Sequence, residues 1–263
     1  MNYMNILDKI VLRKKEEVAD AKRLISIQDL EKADHFKRTP YSFKEFLLAE
    51  DRTGIIAEFK RRSPSKGLIN GVADVAEVTQ AYNQAGASAL SVLTDVDFFG
   101  GKMEDLLAAR AANEIPVLRK DFIIDEYQIL QAKAWGADII LLIASILTPK
   151  QIHEFAKFAY ELGLNVLLEV HNLEELERSI SPNLDAIGVN NRNLGDFTVN
   201  IQTSFDLVNK IPNEFLKISE SAISDPKIIQ DLKSAGFNGF LIGENFMKTD
   251  YPGKAMQEFV EQI

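Results

Sequence analysis

Residues 56–67 read Ile56-Ala57-Glu58-Phe59-Lys60-Arg61-Arg62-Ser63-Pro64-Ser65-Lys66-Gly67. An apolar run carries two opposite charges two residues apart, then breaks into a basic loop marked by Pro and Gly. In a strand, side chains alternate between faces, so Ile56, Glu58 and Lys60 share one. Setting Glu and Lys together near the C-terminal end of a strand suits the building of a site, because burying an unpaired charge for packing alone is costly. The competing reading is an exposed edge strand with a surface ion pair. The turn also bears on the sheet. A doubly wound open sheet often follows its first strand with a Gly-rich turn, and this turn is long and basic instead.

Outward from this stretch, eight short apolar or β-rich runs recur: 55–60, 89–94, 116–120, 138–143, 165–170, 186–190, 216–220 and 239–243. Amphipathic helical patterns lie between them, at 75–85, 103–112, 127–135, 150–162, 173–180, 201–211, 227–235 and 253–260. Thr148-Pro149 and Asp225-Pro226 each put a capping residue before Pro in a first helical turn. Gly86, Gly136, Gly163 and Gly236 follow helical runs, where C-terminal caps belong. Strict alternation of strand and helix predicts a parallel sheet, and eight units fit a closed (β/α)8 barrel, an α/β fold, with the doubly wound sheet as competitor. Residues 1–50 read as a helical N-terminal extension, clearest at 6–21 and 41–48, and residues 51–263 as the barrel, in a single domain overall. A separate small N-terminal arm is the alternative.

The chain has 263 residues, 46% of them apolar, enough for a large core. It has no apolar run long enough to span a membrane. Met1-Asn2-Tyr3-Met4-Asn5 is largely polar and lacks the apolar stretch of a signal peptide. Cysteine is absent, which removes disulfides and thiolate chemistry; a cytoplasmic address is expected. Thirty Lys and Arg against 39 Asp and Glu leave a net charge of −9. That balance argues against nucleic-acid binding, which needs a basic surface, yet it permits an anionic small substrate in a local cationic pocket. The expectation is a protein with no nucleic-acid or membrane partner, monomeric or weakly dimeric.

In such barrels the active site lies at the C-terminal ends of the strands. Those ends read Glu58-Phe59-Lys60, Leu93-Thr94-Asp95, Leu118-Arg119-Lys120-Asp121-Phe122, the apolar 139–143, Leu168-Glu169-Val170-His171, Asn190-Asn191-Arg192, Ser219-Glu220-Ser221-Ala222 and Ile242-Gly243-Glu244-Asn245. One charged strand end is ordinary. Glu58, Lys60, Lys120, Glu169 and Glu220 come from four strands and converge if the barrel closes, making an acid/base array; a Lys in a drier pocket or near other cations loses pKa and becomes a usable acid. The end of the eighth strand reads either as a phosphate cradle, with Gly243 admitting backbone and a short helix starting near Asn245, or as a plain Gly turn. Ser221 and Arg192 add donors there. Asp95-Val96-Asp97 is a weak cation candidate with no third ligand. His35, His153 and His171 are too scattered for a metal set; His171 shares the face of Glu169, and Trp135 reads as packing. No Walker motif or dinucleotide fingerprint is present, so no cofactor is indicated.

Taken in order, these strand ends resemble the indole-3-glycerol phosphate synthase family. The matching stretches are 57–65, Leu93-Thr94-Asp95 with Phe98-Phe99-Gly100-Gly101, 118–123, 168–171, Gly188-Val189-Asn190-Asn191-Arg192-Asn193-Leu194, Ser219-Glu220-Ser221 and 240–243. The Glu-x-Lys-x-x-Ser-Pro-Ser and Leu-x-Lys-Asp-Phe pieces are the specific ones. The resemblance implies cofactor-free conversion of 1-(2-carboxyphenylamino)-1-deoxyribulose 5-phosphate to indole-3-glycerol phosphate, carbon dioxide and water. It implies Lys120 as the acid at the carbonyl oxygen and Glu58 as its orienting partner. Lys60 would hold the substrate carboxylate or phosphate, or serve as second acid, and Glu169 would be the base for dehydration. Glu220 and Asn190 would hold ribulose hydroxyls. Ser63, Arg192, Ser221, Ala222, Gly243 and Glu244 would surround the phosphate, and Phe99 and Phe122 would wall the anthranilate ring.

Two positions depart from the family pattern. Ala222 stands where Gly is usual, and its methyl penalises a positive φ. Glu244 stands where some relatives have Ser, so its carboxylate must turn away from a phosphate or be paired. Two other readings are phosphoribosylanthranilate isomerase, whose chemistry usually needs a Cys that this chain lacks, and a non-catalytic phosphosugar-binding barrel, against which intact Glu58, Lys60, Lys120 and Glu169 speak.

Overall fold

The computed structural model describes residues 5–193, 195 and 197–263; Met1–Met4 of the N-terminal stretch and Leu194 of the sixth-strand stretch lie outside them. Three helices come first: α1 (Ile6–Leu24), α2 (Ile27–Glu31) and α3 (Phe43–Leu47). Strand β1 (Ile55–Phe59) follows, then a small hairpin of β2 (Arg62–Ser63) and β3 (Gly67–Leu68) within the basic loop. Strand and helix then alternate: α4 (Val75–Gln84), β4 (Ala89–Leu93), α5 (Met103–Ala112), β5 (Val117–Lys120), α6 (Glu126–Ala134), β6 (Ile139–Ile143) and α7 (Pro149–Glu161). The second half continues with β7 (Asn165–Val170), α8 (Leu173–Ser179), β8 (Ala186–Asn190), α9 (Gln202–Leu207), β9 (Leu216–Glu220), α10 (Pro226–Ala235), β10 (Gly239–Ile242), α11 (Glu244–Met247) and α12 (Pro252–Val260).

Among the described residues, β1, β4, β5, β6, β7, β8, β9 and β10 pair in parallel around a closed ring in which β10 returns to β1. This is the (β/α)8 barrel that the alternation predicts. The open doubly wound sheet is excluded by that closing pair. Strand parity divides the core in two. Ile55, Ala57 and Phe59 pack outward with the helices, while Ile56 joins Leu118, Leu141, Leu167, Ile218 and Leu241 inside the ring. One residue in two therefore faces inward on each strand, and the inward position at the upper end of most strands is where the polar side chains fall.

The caps work as the sequence suggests. Thr148 and Asp225 accept backbone N–H bonds at the starts of α7 and α10, each with Pro in the first turn. Gly86, Gly136, Gly163 and Gly236 all take left-handed φ angles just beyond their helices. Helix α3 closes the lower end, its Phe43 and Leu47 joining the inner core. Helix α1 lies by the upper ends of β4 and β5, where Lys14 is buried against Asp95 at 2.8 Å and Asp121 at 3.1 Å. Helix α2 falls within the 1–50 stretch expected to be helical, the β2–β3 hairpin has no counterpart among the sequence expectations, and the helical run expected at 201–211 turns 3₁₀ at Val208–Lys210.

Candidate active site

The first strand reaches its upper end with Glu58 inward and nearly fully buried. Its neighbour in register on β4 is Ser91, whose hydroxyl lies 3.3 Å from one Glu58 oxygen, while Lys60 Nζ donates to the other at 2.7 Å. The opening stretch is thus a paired, buried charge, and the exposed-edge reading fails. Across the ring, Lys120 Nζ donates to Glu169 Oε2 at 3.0 Å and lies 3.9 Å from Glu220 Oε2. Glu169 Oε1 accepts from Asn190 Nδ2 at 3.1 Å, and Asn190 and Glu220 are register partners on β8 and β9. All six candidates (Glu58, Lys60, Lys120, Glu169, Asn190 and Glu220) line one cavity at the mouth of the barrel.

Two glycines make this packing possible. A Cβ at Gly188 would sit 2.0 Å from Glu220 Oε1, and one at Gly243 would sit 2.6 Å from Glu58 Oε1. Gly243, read from sequence as a gap for a phosphate, is first of all a gap for a carboxylate. The short helix α11 starts at Glu244, one residue before the expected Asn245.

The electrostatics depart from one expectation. A buried Lys among cations should lose pKa. Burial does push Lys120 down, but the carboxylates of Glu169, Glu220 and Glu58 outweigh it and hold its ammonium above the ordinary lysine range. Burial pushes Glu169 up, yet Lys120 and His171 hold it well below the usual carboxylate range. Glu220 moves the other way: burial and then the charge of Glu169 raise it to about 8, with Lys120 opposing. The two carboxyls beside one ammonium are driven apart, one firmly ionised and one able to carry a proton near neutral pH.

An apolar wall faces the charges. Phe99 and Phe122 stand with ring centroids 5.8 Å apart and planes tilted by 40°, and Leu93, Leu141, Ile143 and Leu241 continue the lining. Strand β6, which offers no chemistry by sequence, supplies two of these. The aromatics are held from behind. Asp95 accepts the backbone N–H groups of Phe98 and Phe99 at 2.8 and 3.0 Å, and Asp121 accepts that of Phe122 at 2.8 Å. The acidic turn at Asp95 is therefore the aromatic wall's support, charge-matched by Lys14, and not a cation site.

The cavity continues into a polar rim made by Arg192, Ser221, Ala222, Gly243, Glu244 and Lys66. Glu244 is paired: Arg192 Nη2 lies 3.2 Å from one oxygen and Lys66 Nζ 3.5 Å from the other. Ser63 ends β2, paired with Gly67 across the hairpin and buried beside Ser65. Ser221 and Ala222 take φ of 66° and 63°, a left-handed conformation costing about 1–2 kcal/mol for a residue with a Cβ. Buried Asn191 supports the turn by donating to the carbonyls of Glu220 and Ser221. The methyl of Ala222 thus meets the penalty the sequence foresaw. Gly188, Ser91 and Lys14 carry no signal in the sequence alone; the need for glycine at 188 comes from Glu220 on the next strand.

The family model described as indole-3-glycerol phosphate synthase matches residues 7–259. The chain belongs to the indole-3-glycerol phosphate synthase family. It is a decarboxylating lyase of tryptophan biosynthesis that takes a phosphorylated small molecule. An indole-3-glycerol phosphate synthase of Bacteroides thetaiotaomicron is 49% identical over 259 residues, covering 98% of this chain and 99% of its own. One from Bordetella pertussis is 40% identical over 97% of this chain and 99% of its own. The fold alone is shared more widely. A 3-hexulose-6-phosphate synthase structure superposes with a TM-score of 0.64 at 13% identity, over 80% of this chain and all of its own. No helix among the described residues is long and apolar enough to cross a membrane.

Proposed function

We propose that the buried cluster carries out ring closure, decarboxylation and dehydration of 1-(2-carboxyphenylamino)-1-deoxyribulose 5-phosphate, with Lys120 as the first acid. The anthranilate ring carbon attacks the ribulose carbonyl, and Lys120 delivers the proton that its oxygen needs. Loss of carbon dioxide then removes the carboxyl group from that ring carbon. Expulsion of the new hydroxyl as water needs a second acid, assigned to Lys60, and a base, assigned to Glu169. Glu58, expected from the resemblance to orient Lys120, contacts Lys60 instead at 2.7 Å, so it orients Lys60 and lends only its charge to Lys120. Protonated Glu220 and Asn190 hold the ribulose hydroxyls. Phe99 and Phe122 flank the aromatic ring. Arg192, Ser63, Ser221, Ala222 and Gly243 bind the phosphate, with Glu244 withdrawn from their cations when substrate enters.

The observation that carries this reading is the Lys120–Glu169 contact of 3.0 Å on the floor of an aromatic-walled cavity. It gives the two proton transfers an order. While Lys120 is charged, Glu169 is a poor base. Once Lys120 has given its proton to the carbonyl oxygen, Glu169 loses a cation at contact distance and becomes a better base for the later step. We further read residues 1–50 as an extension packed on the barrel 51–263 in one domain, acting in the cytoplasm as monomer or weak homodimer. Incubation of the purified protein with the substrate, followed by indole fluorescence, tests the assignment: indole product is expected, and substrate bound without turnover would favour a non-catalytic phosphosugar-binding barrel instead.

A further inference from the structure

We propose that His171 is a positioning residue for this reaction, holding the Glu169 carboxylate by the oxygen that Lys120 does not take and being held in turn by Glu175; the proposal rests on the reading of Glu169 as the base. His171 follows Glu169 by two residues at the end of β7, so it shares the inward face. Its Nδ1 hydrogen-bonds Glu175 Oε2 at 3.1 Å, while its Nε2 lies 3.3 Å from Glu169 Oε1 as a charge contact without hydrogen-bond alignment, on the oxygen that also accepts from Asn190. The same Glu175 oxygen accepts the His171 backbone N–H at 2.8 Å. Glu175 is itself fixed, because its backbone N–H is capped by Asn172 at 2.8 Å in the first turn of α8. The imidazole is thus seated between two carboxylates on two elements, and it is largely buried.

Both ring nitrogens face carboxylate oxygens. A neutral imidazole has one N–H and would turn a lone pair on one of them, so the seat selects the imidazolium. Burial opposes that charge, but Glu169 and Glu175 outweigh it and raise the group to about 10. The other charges in reach are Glu220 from β9, Lys120 beyond Glu169, and Arg178 beside Glu175. The consequence for the reaction is specific. When Lys120 discharges, His171 remains as a standing cation, so Glu169 stays ionised and aimed until the dehydration step. Removing that cation raises the pH at which Glu169 takes up a proton, and the acidic limb of the rate profile must follow it upward.

Substrate conversion by His171→Asn across pH tests this. The acidic limb of kcat is expected to move up by about one pH unit, with kcat lowered roughly 10-fold and KM nearly unchanged; Glu175→Gln should move the limb the same way by less. An unmoved limb in both variants overturns the proposal. Should His171→Asn fail to fold, NMR titration of the native protein decides: His171 is expected to stay doubly protonated beyond pH 8, and titration near 6.5 overturns it. Glu169→Gln separates the two readings. If that variant keeps full activity, the base assignment falls and the role of His171 with it. If it is inactive while His171→Asn leaves the profile unmoved, only His171 is excluded.

Discussion

The floor of the cavity and its rim are built on opposite plans. On the floor, Glu58, Lys120, Glu169, Asn190 and Glu220 stand on strands of the barrel, and register fixes their neighbours: Ser91 beside Glu58, Asn190 beside Glu220. Their charges are cross-braced and nearly all buried. On the rim, Arg192, Ser221, Ala222 and Glu244 stand just beyond strand ends, two of them in strained left-handed backbone, and their ion pairs are part-exposed. Exposed pairs contribute little, typically about 0–1 kcal/mol. The difference assigns work. A rigid buried array suits proton transfers that need fixed geometry, and a strained, weakly paired rim suits exchange of one anion for another.

Substitutions in the two regions should therefore separate rate from binding. The largest effect is expected for Glu169→Gln, which keeps the shape but removes the base: kcat should fall by roughly 100-fold or more, with KM changed little, as measured by indole fluorescence. A large rise in KM with kcat preserved would move Glu169 from chemistry to binding. Gly243→Ala comes next. It touches both regions, and its methyl would overlap Glu58. Overpacking of about 1–3 kcal/mol should lower kcat roughly 10-fold, whereas a loss confined to phosphate affinity would return Gly243 to a rim role.

Glu220 gives a pH test of the floor. Its raised value of about 8 against an ordinary 4.5 means that, between those pH values, the folded protein keeps a proton the unfolded chain has lost. Stability then falls as pH rises through that window and levels off above it. Glu220→Gln removes the titration, so its melting temperature relative to the native protein should climb between pH 5 and 8; a constant offset would show that Glu220 is ionised throughout. The smallest effect belongs to the rim. Ala222→Gly relieves a φ of 63° and should stabilise by up to about 1 kcal/mol, or about 2–4 °C in melting temperature. No gain would mean that the turn sets its conformation without cost.

Much of the floor was legible in the sequence, because strand parity is a local property. The alternation around Glu58 and Lys60, the position of Lys120 two residues after Leu118, and the strands 165–170, 186–190 and 216–220 follow from neighbours in the chain. What was not legible depends on residues distant in sequence. The need for glycine at 188 lies in Glu220, and the need at 243 lies in Glu58. The burial of Lys14 depends on Asp95 and Asp121. The apolar lining from Leu141 and Ile143 has the right parity, but apolar side chains carry no chemical signal by themselves. The direction of the Lys120 shift could not be read either, since it is the balance of burial against three carboxylates that meet only when the ring closes.

The central claim is that Lys120, on the floor, gives the first proton while the rim only holds the substrate. A single-turnover assay of Lys120→Met beside Arg192→Gln, following indole fluorescence over a range of substrate concentrations, tests it most directly. Lys120→Met should bind substrate with nearly native affinity and turn it over at least roughly 100-fold more slowly, while Arg192→Gln should approach the native rate at saturation. Native-like turnover by Lys120→Met, or a rate for Arg192→Gln that stays low at saturation, would contradict the division between floor and rim.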